Sequence, residues 1–114
     1  MPAGTFNLTG YNRIEQGATL SFTVTVTTSA GAVYPLTGAT AAAKLRETTS
    51  STTSYAFTCA VAESTGVITV SMTAAETAAI AITTGVWDLE LTEGATVTRL
   101  LEGEVEISPE VTKT

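Results

Sequence analysis

No histidine occurs in this chain, and its only cysteine is Cys59. The first absence removes the usual general base of Ser-His-Asp and Cys-His catalysis, and with it the commonest transition-metal ligand. The second excludes an intrachain disulfide, so synthesis in a reducing cytoplasm is the simple expectation. Basic residues are scarce: 5 Lys and Arg stand against 11 Asp and Glu, for a formal net charge of −6. Such a balance repels phosphate backbones and anionic lipid. No basic run or stretch of stacking aromatics offsets it, so neither nucleic acid nor a membrane is an expected partner. No apolar run is long enough to cross a bilayer, and residues 1–5 lack the basic and apolar regions of a secretory signal. Glycine-rich phosphate loops of the Walker or Rossmann kind are also missing. Aromatics make up 6% of the chain, so the core is expected to be thin.

What is present is threonine, 25 residues of it, in a chain of 114. That length suits one domain, and a domain of this size removes roughly two-thirds of its unfolded surface from water, enough for a core without metals or disulfides. β-Branched residues fit pleated strands. In the run Leu20–Thr27, Leu20, Phe22, Val24 and Val26 alternate with Ser21, Thr23, Thr25 and Thr27. Successive strand side chains point to opposite faces, so this run has an oily face and a hydroxyl face.

The same design recurs. A short strand is expected at Thr5–Leu8, with Tyr11–Glu15 continuing it or pairing at an edge. The opening long strand is expected at about 18–28, followed by a turn at Ser29–Gly31 and a short edge strand at Val33–Leu36, limited by Pro35. Ala41, Ala43 and Leu45 share one face of a strand at 39–47. Thr48–Ser54, all Ser and Thr, is expected to be an exposed, mobile loop tip. Tyr55–Ala62 is read as one strand with Tyr55, Phe57, Cys59 and Val61 on a common face. Val67–Met72 turns Ile68, Val70 and Met72 inward. Thr73–Glu76 matches a capping box that opens a short helical connector near residues 73–81. Strands at 86–92 and 97–108 form a last hairpin, with Trp87, Leu89 and Leu91 inward and Gly103 marking a bulge or a close backbone approach. These signals predict an all-β sandwich of about seven strands with one helical connector. The whole of 1–114 is expected to be one domain, with its core at about 5–108 and a tail at 109–114.

Candidate chemistry is sparse, and no catalytic, cofactor-binding or metal-ligating residue is assigned. Cys59, in phase with Phe57 and Val61, reads as a small buried hydrophobe rather than a nucleophile. Glu102, Glu104 and Glu106 alternate along one strand, as a Ca²⁺ site would require, but a solvated outer face is the plainer reading. Asp88 and Glu90 form a conceivable glycosidase pair without the aromatic-lined cleft such chemistry needs. Arg99 is placed to pair with acids of the last hairpin. An enzyme is therefore not expected.

Several phrases taken together carry a resemblance: Ile14–Phe22, Leu36–Arg46, Gly66–Thr77, Val86–Leu91, Val97–Gly103 and Ser108–Thr112. In this order the chain resembles the small immunoglobulin-like β-sandwich proteins of tailed bacteriophages, including tail-collar and fibre-anchoring domains and the N-terminal domains of upper-baseplate proteins. The resemblance spans Ile14 to Thr112. It implies a single immunoglobulin-like antiparallel sandwich with no catalytic residues, made in bacterial host cytoplasm and working in the virion. It further implies a homo-oligomer in the particle, an adaptor or collar subunit of tail or baseplate docking proteins such as fibres. The little chain outside the matched phrases favours an adaptor, collar or decoration role over direct receptor binding. Thr5–Glu15 and Val111–Thr114 are the segments expected to reach neighbouring subunits. A capsid decoration protein is the nearest alternative. A carbohydrate- or cell-surface-binding module is the rival from another class, and Tyr11, Tyr34 and Tyr55 are its only exposed aromatic candidates.

Overall fold

The computed structural model describes residues 4–27, 31–32 and 34–111. Part of the expected turn at Ser29–Gly31, Val33 and the last residues of the Val111–Thr114 segment therefore lie outside the described residues. Among these residues nine strands form: β1 Gly4–Thr5, β2 Ile14–Glu15, β3 Leu20–Thr25, β4 Thr40–Arg46, β5 Tyr55–Ala56, β6 Thr58–Ala62, β7 Val67–Met72, β8 Thr84–Glu93 and β9 Thr96–Ser108. A short α-helix, α1 Ala74–Ala78, links β7 to β8, and a 3₁₀ turn occupies Gly10–Asn12. No helix among the described residues is long and apolar enough to cross a membrane.

The strands make two sheets. One has the order β1-β9-β8-β4-β5, with β2 also on β9, and the other has the order β3-β7-β6. The protein is an all-β sandwich, and its division of strands is the Greek-key order of immunoglobulin domains. Period-two patterning explains the layering. Ala43, Leu45, Ile68, Val70, Met72, Trp87, Leu89 and Leu91 are all buried, while their sequence neighbours on the strands are more exposed. Phe22, Phe57 and Phe6 surround Trp87, with ring centroids 5.8, 5.9 and 6.4 Å away and near-perpendicular or steeply tilted planes. Edge-to-face contacts of this kind add to area burial. The oily face of Leu20–Thr27 does pack across the sandwich against Trp87.

The capping box forms as its sequence predicts: Glu76 N–H donates to Thr73 Oγ1 (3.2 Å), and Thr73 N–H donates to the Glu76 carboxylate (2.8 Å). The helix is shorter than the expected 73–81. Its buried anchor is Thr77, whose hydroxyl accepts from Gly17 N–H (3.1 Å) and reaches Ala18 O (2.9 Å).

Three expectations change. Tyr55–Ala62 is not one strand: Tyr55 and Ala56 pair with β4, whereas Thr58–Ala62 pair with β7 in the other sheet. Phe57 makes the crossing, buried, with its N–H donating to Ala43 O (3.0 Å). Tyr34–Leu36 forms no strand. Pro35 has no N–H, and its neighbours bond to different partners, Tyr34 N–H to Val26 O and Leu36 N–H to Glu63 O. The bulge in β9 falls at Leu100, because Leu89 faces Leu101 and Glu90 faces Arg99. Gly103 is the close backbone approach, the other of its two expected roles: a Cβ there would collide with the Phe6 carbonyl and lie 2.9 Å from Asn7 Oδ1. Finally, the sandwich is not wholly antiparallel, since β1 and β2 run parallel to β9.

That parallel cover matters for the N-terminal segment. Phe6 N–H donates to Glu102 O (3.0 Å), Leu8 N–H to Glu104 O (2.8 Å), Glu106 N–H to Leu8 O (2.9 Å) and Gln16 N–H to Ser108 O (3.0 Å). Leu8 and Ile14 are buried. Residues 5–15 are thus built into the sandwich, and only the turn carrying the fully exposed Tyr11 projects from it. Thr48–Ser54 is mostly exposed, as expected, but its first half is knitted together: Thr48 N–H donates to Ser51 Oγ (3.0 Å) and Arg46 Nη1 donates to Ser51 O (2.8 Å).

Candidate functional site

The two sheets present outer faces of opposite chemistry. On the larger sheet, β4, β8 and β9 send alternate side chains into an open concavity of about 850 Å³, lined by Lys44, Arg46, Asp88, Glu90, Arg99, Glu102 and Glu104, with Thr5 and Asn7 at one rim. Arg99 lies 3.4 Å from Asp88 and 3.3 Å from Glu102. In an unbroken strand residues 99 and 102 would face opposite ways. The Leu100 bulge resets the alternation and brings both onto this face. The cross-strand pairing of Arg99 with hairpin acids follows the sequence reading. Its partners are about half exposed, which limits the energy of the pair.

Of the acids the sequence singled out, Asp88, Glu90, Glu102 and Glu104 line this concavity. Asp88 is ion-paired with Arg99. Glu102 faces Arg99, whereas Glu106 accepts from Gly10 N–H (2.9 Å). Among the described residues no group of His, Cys, Asp and Glu is arranged to hold a metal ion. Cys59 is half-buried. Burial pushes its thiol pKa up, against an opposing hydrogen bond with the Ala43 backbone, and a raised pKa disfavours the nucleophilic thiolate.

The aromatic candidates for sugar stacking are mostly occupied. The Tyr34 hydroxyl donates to the Glu93 carboxylate (3.0 Å), Tyr55 Oη accepts from Ala81 N–H (3.1 Å), and Trp87 is buried with its indole N–H on Phe6 O (2.8 Å). The hydrogen bond to Glu93, more than its charge, raises the Tyr34 pKa. Only Tyr11 stands free in solvent.

The smaller sheet is different. Its strands read LSFTVT, VITVSM and TCAVA, without a single charged residue. Register places Ser21, Ser71 and Thr58 in one row across the outer face, Thr23, Thr69 and Ala60 in the next, and Thr25, Val67 and Ala62 in a third. All the acids lie elsewhere, in a chain of net charge −6. Hydroxyls and methyls keep such a face wettable, and they cost far less to desolvate than charges. The sequence pointed to the hydroxyl row of β3. It did not reveal that β7 and β6 extend the row into a whole face, because register between distant strands is not written in either one. No protein-family model matches this chain, and no curated protein shows significant similarity to it.

Proposed function

We propose that the protein is a bacteriophage virion structural protein, an adaptor or collar subunit of the tail or baseplate that docks neighbouring proteins such as fibres. The observation that carries this reading is the charge-free face of β3, β7 and β6, set in a chain that is otherwise strongly acidic. An interface of ordinary size hides about 800 Å² on each partner. The outer face of this sheet supplies part of such an area without stranding an unpaired charge, which is the costly element of a poor interface. The role needs no catalysis: a rigid sandwich presents one face, and its affinity comes from shape and from burying small side chains. Several copies around a tail axis follow from closed symmetry. The ordered phrases from Ile14 to Thr112 that resemble phage sandwich proteins support the same setting.

The decoration-protein alternative differs only in where the face docks. The carbohydrate reading is weaker, since Tyr34 and Tyr55 spend their hydroxyls inside the fold. Mass spectrometry of particles purified after induction of the source phage, with antibody labelling in the electron microscope, tests the proposal. The expected outcome is the protein present in stoichiometric multiples and labelled at the tail. Label on the head would favour decoration. Absence from particles, together with strictly monomeric behaviour, would remove the reading.

A further inference from the structure

We propose that the outer edge of β3 is a strand-pairing site for β3 of a second copy, joining two three-stranded sheets across a two-fold axis. The inference begins with the hydrogen-bond phase of the strand. Val26 N–H donates to Gly66 O (2.8 Å) one step beyond the Thr25–Val67 pair. Ladder bonds alternate in an antiparallel pair, so Leu20, Phe22 and Val24 direct their amides and carbonyls toward β7. Ser21, Thr23 and Thr25 direct theirs outward. No strand pairs on that side of β3 among the described residues, and no described backbone group takes up these amides.

The other edges of the sandwich are covered or short. The outer edge of β9 is covered by β1 and β2, β5 has two residues, and β6, five residues long, is tied to β4 at its start, where Phe57 N–H donates to Ala43 O. Edge strands are ordinarily blunted by charge, proline or a bulge. β3 has none of these, and its register runs unbroken from Leu20–Met72 to Thr25–Val67. Beside it lies a groove of about 190 Å³ lined by Phe6, Leu8, Leu20 and Phe22 together with Tyr11 and Arg13.

Charge selects the occupant. A second copy carries the same net charge of −6, so approach along the acid-bearing strands sets like charges together, whereas β3 itself carries none and the Arg13 beside it is paired with Glu15. The strand is also self-complementary. Centred on Thr23, an antiparallel pairing puts Thr23 opposite its own copy and Ser21 opposite Thr25, and each such pair exchanges both N–H···O bonds. Phe22 then sits beside Val24 of the partner, and Leu20 beside its Val26, along the groove. The inference uses the assembly reading only for its setting; pairing is a property of the purified chain and stands or falls in solution.

Thr23 gives the test, because the two-fold places residue 23 against itself. In sedimentation equilibrium the wild type is expected to dimerise with a Kd below about 1 mM. Thr23→Lys and Thr23→Glu each set like charges directly opposite and are expected to weaken the dimer at least tenfold, and an equimolar mixture of the two restores it. Thr23→Pro removes one outward amide and leaves the bonds to β7 in place, and it too weakens pairing. Thr69→Lys, on the same face but in the central strand, leaves the dimer unchanged. Amide exchange at high concentration is expected to slow at Ser21, Thr23 and Thr25. Far-UV circular dichroism and Trp87 emission confirm that each variant is folded. A wild type that stays monomeric, a mixture no tighter than its components, or a dimer broken by Thr69→Lys but not by Thr23→Lys would overturn the inference. None of these results bears on whether the protein is found in particles, which the particle test decides separately.

Discussion

Gly103→Ala tests the central packing. Gly103 faces Trp87 across the β8–β9 ladder, and its missing side chain leaves room for the Phe6 carbonyl. An added Cβ would meet that carbonyl and stand 2.8 Å from its carbon, both backbone atoms that no rotamer change can move aside. The segment from Gly4 to Leu8 must lift. Trp87 then loses the acceptor of its 2.8 Å indole hydrogen bond while the ring stays in the core. An unsatisfied buried donor costs about 1–3 kcal/mol. Leu8, now buried, is exposed as well, at about 1.5–3 kcal/mol. Partial relaxation shares these losses, so the expected destabilisation is about 3–4 kcal/mol, a large part of the ~5–15 kcal/mol typical of a domain. Urea denaturation followed by the emission of Trp87, the only tryptophan, measures it directly. The folded variant should also emit further to the red, and its melting temperature should fall by roughly 10–20 °C. A cost below about 0.5 kcal/mol, within the range of neutral surface changes, would refute the steric account.

Thr77→Val removes the hydroxyl that accepts from Gly17 N–H and bonds Ala18 O. It should cost about 2 kcal/mol in urea, and a change too small to measure would mean that water replaces the hydroxyl. Arg99→Ala should cost less than about 1 kcal/mol, because both its carboxylate partners are solvent-exposed; a larger loss would make the Arg99 cluster structural. The neutral Tyr34 phenol donates to Glu93, so the fold holds that proton above the usual phenol range. The contact is complete below about pH 10 and is lost as pH rises through the raised value. Glu93→Gln should therefore lower the pH at which Tyr34 ionises, read as the 295 nm absorbance lost in Tyr34→Phe. An unmoved titration would place the cause elsewhere.

Much of the fold was legible because the signal is periodic and local. The alternation in Leu20–Thr25, Thr40–Arg46 and Val67–Met72 assigned faces correctly, and Thr73–Glu76 declared its own cap. What escaped depended on partners. Tyr55, Phe57, Cys59 and Val61 keep one phase through the crossing, so the pattern continues while the strand changes sheets. Gly103 signalled something unusual, but only the path of Phe6 shows that it is an approach and that the bulge lies at Leu100. The candidate face was half legible: the Ser and Thr row of β3 was plain, whereas its edge, unpaired among the described residues, depends on which strands lie elsewhere.

The parallel run of residues 4–15 along β9 has a mechanical consequence. Tension applied at Gly4 and at Val111 pulls the two segments past each other along their length. The four bonds that join them at Phe6, Leu8, Glu106 and Gln16 are then loaded together in shear rather than opened one after another. Survival under such a load is set by the unfolding rate rather than by equilibrium stability. The edge that seals the core is therefore also the seam that carries force through the molecule.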